Sequence, residues 1–297
     1  MNIQYLNTIE YGNIPKALFI GNGINLLFDN GESWGKIIKN LANKYKVKYD
    51  KDLFSKMPMT MQVVTATKDN VDKNMKILSE KLCKLSYTDE ALELYSKLVN
   101  LPFDAILTTN YSYELENACF DELSKYKIQK NTYKTVRNAK DKESQFLYRY
   151  IKVNNARENT IWHVHGDACR PSSIIMGHYY YGKLLAAIQE YIPDMIRRFR
   201  FSQKNQVEYY PRSWVDYFML SDVHMLGFGM DFSETDIWWL ACCKKRNGQG
   251  KIYFHTMLGD ITEEKKLLMD TYGIEVVFGK NNQEYKEFYN SFLNSYK

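Results

Sequence analysis

Residues 17–25 read Ala-Leu-Phe-Ile-Gly-Asn-Gly-Ile-Asn: four apolar side chains without alternation, then a Gly-x-Gly turn. A strand covered on both faces has that composition, and glycines directly after it mark a sharp exit. Beyond the turn Trp34, Ile37, Ile38, Leu41 and Tyr45 recur at helical spacing. The segment therefore predicts strand, glycine turn, loop, helix. Outward from it the pattern repeats. Met75, Leu78, Leu82 and Leu85 keep one helical stripe, and a further helix starts near Thr88, with Asp89 and Glu90 in its first turn. Ala105-Ile106-Leu107 precedes Thr108-Thr109-Asn110 and another helix start, and the run 161–165 stops at Gly166-Asp167. The C-terminal third predicts strand 223–227, helix 235–246, strand 251–256, helix 263–272, strand 274–278 and helix 283–296. Residues 179–201 read as helix, with Pro193 expected to kink or split it. Strands alternating with helices predict an α/β fold: a Rossmann-like, doubly wound, mostly parallel sheet with helices on both faces. The whole chain, 1–297, reads as one domain. The polar, lysine-rich stretch 125–159, with one candidate strand at 146–153, reads as a helical or irregular insertion.

Composition narrows the function. With 45% hydrophobic residues and a net charge of +5, the chain is no disordered tail. No stretch approaches the roughly 18 apolar residues of a membrane span, and the first residues lack the basic and apolar regions of a secretory signal, which predicts a cytoplasmic protein. The five cysteines, Cys83, Cys119, Cys169, Cys242 and Cys243, contain no C-x-x-C pair, which argues against a zinc ribbon. The basic clusters Arg197-Arg198-Arg200 and Lys244-Lys245-Arg246 read first as solvated helix faces and second as phosphate contacts, so nucleic acid is a minor expectation.

In such a sheet ligands bind at the carboxyl ends of the strands. Four of those ends carry small or polar residues. Gly21-Asn22-Gly23-Ile24-Asn25 suits a phosphate against backbone amides and equally suits an ordinary tight turn. It lacks the third glycine of the dehydrogenase fingerprint, which disfavours hydride transfer. Thr109 and Asn110 suit a helix cap, or orientation of a ribose hydroxyl or a water. His163 and His165, two apart on a strand, are expected to face one way. His165, before Gly166, is the functional candidate and His163 a supporting one. A metal held by His163, His165 and Asp167 is the competing reading, disfavoured because no further Cys or His cluster completes it; no metal is expected. At the fourth end Gly227, Gly229 and Asp231 are candidates for ligand contact, while Ser233 or Thr235 reads as the cap of the next helix, with Asp236 favourable near its N-terminus.

Taken together and in order, GNGIN (21–25), TTNY (108–111), HVHG (163–166) and GFGMDFSETDI (227–237) resemble the sirtuin-like family. The likeness is to its prokaryotic branch of NAD-hydrolysing effectors of anti-phage defence. The resemblance implies a Rossmann-like sheet that binds NAD+ as substrate, and cleavage of the nicotinamide–ribose bond. It further implies that Asn110 positions the ribose and the attacking water and that His165 is the base. Gly21, Gly23 and the backbone between them at Asn22 would hold the pyrophosphate, Asn25 and Thr109 would add contacts to NAD+, Ser112 would stand on the nicotinamide side, and Gly227, Gly229 and Asp231 would line the adenosine side. Where the family commonly has Asp two residues after the Asn, this chain has Ser112. The family also implies control by self-association or by a separate sensor subunit, for which Trp238-Trp239 is a candidate interface. Deacylation or ADP-ribosyl transfer, and a non-catalytic nucleotide-binding scaffold, are the alternatives.

Overall fold

The apolar runs fold as strands because each places consecutive apolar side chains where helices cover both sheet faces. The computed structural model describes residues 8–28, 33–48, 50–68, 70–82, 87–119, 133–135, 147, 149–152, 160–280 and 284–296. Its strands are β1 (Lys16–Ile20), β2 (Ala105–Thr108), β3 (Tyr133–Thr135), β4 (Arg149–Lys152), β5 (Thr160–His163), β6 (Asp222–Leu226), β7 (Ile252–Thr256) and β8 (Ile274–Phe278). They lie in the order β3-β4-β5-β2-β1-β6-β7-β8. The six strands from β5 to β8 are parallel, and β4 and β3 extend the β5 edge antiparallel. Taken by themselves in chain order, the six parallel strands stand 3-2-1-4-5-6, the order of the Rossmann fold.

The helices are α1 (Trp34–Lys44), α2 (Lys51–Ser55), α3 (Met59–Thr67), α4 (Val71–Leu82), α5 (Asp89–Val99), α6 (Glu114–Cys119), α7 (His178–Asn205), α8 (Trp214–Leu220), α9 (Thr235–Asn247), α10 (Glu263–Tyr272) and α11 (Tyr285–Asn294). Helices α5, α6 and α11 cover one sheet face, where Tyr95, Leu115 and Phe288 pack with Leu18, Ile20 and Ile106. Helices α7 to α10 cover the other, where Leu184, Phe218 and Ile237 pack with Phe19, Leu107 and Met225. A third cluster joins Ile38, Val63 and Met75 of α1, α3 and α4 to Tyr111 and Ile174, which follow β2 and β5. A helical cap thus stands over the carboxyl end of the sheet. Thr88 caps α5 as expected, its hydroxyl accepting from the Ala91 amide at 3.2 Å.

Several sequence expectations change here. Pro193 does not split α7, which runs for 28 residues. Pro removes one backbone bond at a cost of about 3 kcal/mol, but Leu184 and Ile188 before it and Ile192 and Met195 beside it bury against the sheet. Two members of the basic clusters are internal struts. Arg198 donates to Asp194 and Asp216. Lys244 is buried and donates to the carbonyls of Ser221 at 2.6 Å, Met219 at 3.3 Å and Gln249. Trp238 is buried and Trp239 packs on the same core, so this pair belongs to the fold rather than to an exposed interface. Cys119, Cys169, Cys242 and Cys243 are free thiols. Cys83, Leu85 and most of 125–159 lie outside the described residues, as does the predicted start of the last helix at Gln283. No helix among the described residues is long and apolar enough to cross a membrane.

Candidate active site

After β1 the chain crosses to β2 on one side, and β6 returns on the other. The loops leaving β1 and β6 therefore diverge from a common floor and open a crevice. At that floor Gly21 N donates to Leu226 O at 3.0 Å and Gly23 N to Gly227 O at 2.6 Å. A Cβ on Gly21 or Gly23 would come within 2.6 or 2.7 Å of Gly227 O. Gly227 has φ +62°, and a Cβ there would lie 2.8 Å from Ile24 Cγ1. These glycines serve the contact between the two loops first, and the Gly23 amide is spent on it. Around Gly229 the space is open. The amides of Ile24 and Asn25 make no backbone hydrogen bond among the described residues.

Asn110 is placed from β2. The Thr108 hydroxyl donates to Ile20 O at 3.0 Å and accepts from the Asn110 amide at 3.1 Å, which turns the chain into the crevice. The Asn110 side-chain amide nitrogen faces two acceptors, Glu114 Oε1 and Gly21 O. Only the NH2 group can answer both, so the amide has one orientation. Its Oδ1 is buried with no hydrogen-bond partner among the described residues. Glu114 Oε1 also accepts from Asn25 Nδ2 at 3.2 Å, and Tyr95 OH donates to Asn25 Oδ1 at 2.6 Å. One buried carboxylate thus sets both asparagines.

The two histidines part company. β5 ends at His163, so the alternation expected to carry through His165 breaks at the turn to Gly166, whose φ is +87°. His163 contacts Asn110 O at 2.6 Å through Nδ1 and Glu116 Oε1 at 2.8 Å through Nε2. Burial works against its charged form, but the Glu116 carboxylate outweighs it and raises the pKa to about 9. With an acceptor on each side, both ring nitrogens donate. His165 instead places Nε2 2.9 Å from Asp236 Oδ2 and 3.8 Å from Glu234 Oε2, at the start of α9. Burial lowers its pKa, and the two carboxylates more than restore it, leaving it raised. Asp167 turns elsewhere, taking the Tyr113 hydroxyl at 2.6 Å.

The metal set of His163, His165 and Asp167 is therefore not assembled. Donor atoms of His165, Glu234 and Asp236 do lie within 4.8 Å of one another, a spacing a divalent cation can bridge, and a His–Asp hydrogen bond closes it here.

Every residue predicted for the site except Gly21 lines one cavity of about 450 Å³. Asn22, Gly23 and Asn25 form its β1 side, Thr109, Asn110 and Ser112 its β2 side, and Gly227, Gly229 and Asp231 its β6 side, with His165 between. Ser112 is buried there beside Tyr87. No side chain caps α9, whose N-cap position is Glu234: Ser233 gives its amide and hydroxyl to Asp231 Oδ1 at 2.9 and 2.6 Å, while Asp236 stands in the first turn as expected and is also the partner of His165. Glu234 and Tyr181 escaped the sequence reading. Tyr181 lies on α7, its ring against His165 and its hydroxyl 3.0 Å from Glu234 Oε2, and no local pattern announces that meeting.

No curated protein matches the sequence. Residues 104–277 match a family model described as SIR2-like domain.

Proposed function

The chain belongs to the SIR2-like family, and from that premise we propose that it is an NAD+ glycohydrolase, releasing nicotinamide and ADP-ribose. The observation that carries the reading is that one cavity is lined both by Asn110, whose Oδ1 has no partner among the described residues, and by His165. An oriented acceptor suits a ribose hydroxyl or a water. His165, committed through Nε2 to Asp236, keeps Nδ1 for a proton.

In the proposed reaction the bond between the ribose carbon and the nicotinamide nitrogen breaks, and its electron pair neutralises the pyridinium ring. Nicotinamide leaves as a neutral molecule and needs no strong acid. The oxocarbenium-like carbon takes the water oxygen, as in glycoside hydrolysis, and His165 accepts the proton. The Ile24 and Asn25 amides are the donors proposed for the diphosphate, and Gly229 and Asp231 the contacts proposed for the adenosine side. The absence of C-x-x-C pairs from the sequence favours water over an acyl-lysine as the acceptor.

An enzyme that drains NAD+ from the cytoplasm must be restrained, and the proposed setting is an effector of anti-phage defence triggered by self-association or by a separate sensor subunit. The exposed Tyr179, Phe201 and Phe232 support an assembly surface. The test incubates the protein with NAD+, alone, concentrated and with its genomic neighbour, and follows nicotinamide and ADP-ribose by chromatography. Stoichiometric release is expected, reduced about 10²–10⁴-fold in His165→Ala, the usual contribution of a positioned base, and at least as strongly in Asn110→Ala. No release in any assembly state, or release indifferent to both substitutions, overturns the reading.

A further inference from the structure

His165 is surrounded by groups that make or break no bond in the proposed reaction. From α9 comes Asp236, fully buried, and from the residue before that helix Glu234; from α7 comes Tyr181, and after β2 comes Tyr111. Asp231 acts on Glu234 in turn. Asp236 Oδ2 lies at hydrogen-bond distance from Nε2, while its other oxygen is buried with no partner among the described residues. Glu234 stands one step further out, 3.8 Å from the same nitrogen, and receives the Tyr181 hydroxyl. A carboxylate bonded to one ring nitrogen decides which tautomer an imidazole adopts, as in the serine-protease triad. A second carboxylate within 4–6 Å adds a charge that favours the imidazolium.

Resting on the reading of His165 as the base, we infer that Asp236 and Glu234 are its positioning pair: Asp236 holds the Nε2 proton so that Nδ1 faces the substrate with its lone pair, and Glu234 is the adjustable charge that sets how readily His165 keeps the proton it takes. Burial, opposed by His165, leaves the Glu234 pKa at about 7, so its charge changes near neutral pH. Below that range Glu234 is neutral and His165 releases its proton more easily. Above it Glu234 is ionised and the imidazolium is favoured.

The pair is tested by long-range proton–nitrogen NMR of the full chain, with the His165 signal assigned by its loss in His165→Ala. The wild type is expected to show the Nε2-protonated tautomer at high pH. Asp236→Asn is expected to lose that tautomer, because an amide can present a donor to Nε2. Glu234→Gln is expected to keep the tautomer and move the imidazole midpoint down by about one pH unit. In parallel the pH–rate profile of nicotinamide release is measured, where Glu234→Gln is expected to move the limb near pH 7 while Glu234→Asp retains it. Circular dichroism verifies folding; should Asp236→Asn fail to fold, the Glu234→Gln midpoint decides alone. An unchanged midpoint in Glu234→Gln, or an unchanged tautomer in folded Asp236→Asn, overturns the pair. Absence of NAD+ cleavage by the wild type instead overturns the functional reading, and the NMR result still stands.

Discussion

Glu114 has no solvent exposure, yet one of its oxygens takes hydrogen bonds from both Asn110 and Asn25 while the other has no partner among the described residues. A buried carboxylate is retained against its desolvation cost only where donors surround it. Here they are the side chains that form the cavity wall. Glu114→Ala removes the acceptor that Asn110 Nδ2 and Asn25 Nδ2 share and leaves them Gly21 O at 3.5 Å and Asn22 Oδ1 at 3.1 Å, which costs about 1–3 kcal/mol and loosens Asn110. Urea denaturation should register that loss, and nicotinamide release should fall by about 10²-fold, the scale of a misplaced reacting group. An unaltered rate would separate Glu114 from the positioning of Asn110. Asn110 and His165 stand out in the sequence because each follows an apolar run and precedes a turn. Glu114 is visible only as an acid four residues after Asn110, a spacing that equally suits a solvated helix end.

The loops after β1 and β6 form an element of their own, joined by the Gly23–Gly227 hydrogen bond. Gly23 and Gly229, alike in the sequence, differ in surroundings: a Cβ at Gly23 would meet Gly227 O at 2.7 Å, whereas nothing lies within 4 Å at Gly229. Gly23→Ala should destabilise the fold by about 1–3 kcal/mol, the usual cost of overpacking. Gly229→Ala should change stability by less than about 0.5 kcal/mol. Thermal melting distinguishes the two, and equal losses would contradict the loop contact. Element by element, the apolar runs were legible because parallel strands covered on both faces need them. The ends were less so: β5 stops at His163, and that early stop sends His165 toward α9 rather than beside His163.

Across the whole molecule, α11 closes one face of the sheet over a buried ring cluster. His224 and His255 lie 3.0 Å apart, Tyr296 OH reaches His224, and Phe292 packs on His255. Burial lowers the His224 pKa to about 4, and burial together with His224 lowers that of His255 to about 3. Because both folded values lie below the unfolded one of about 6.5, the unfolded chain binds more protons in acid. The stability contributed is complete above about pH 6.5 and is lost as the pH falls toward 4 and 3. Urea titrations from pH 7 to 4 should show this loss, and His224→Phe with His255→Phe should flatten it; an equally steep loss in the double variant would place the effect elsewhere. What the amino-acid order by itself determined is local: which runs are strands, where the chain turns, and which small or polar residues stand at strand ends, all following from hydrophobic period and backbone freedom. Only the tertiary structure decided that Glu114, Glu116 and Asp236 lose their water and find Asn110, His163 and His165. Burial of a charge depends on elements that meet across the fold, and His165 finds Asp236 across 71 residues of chain.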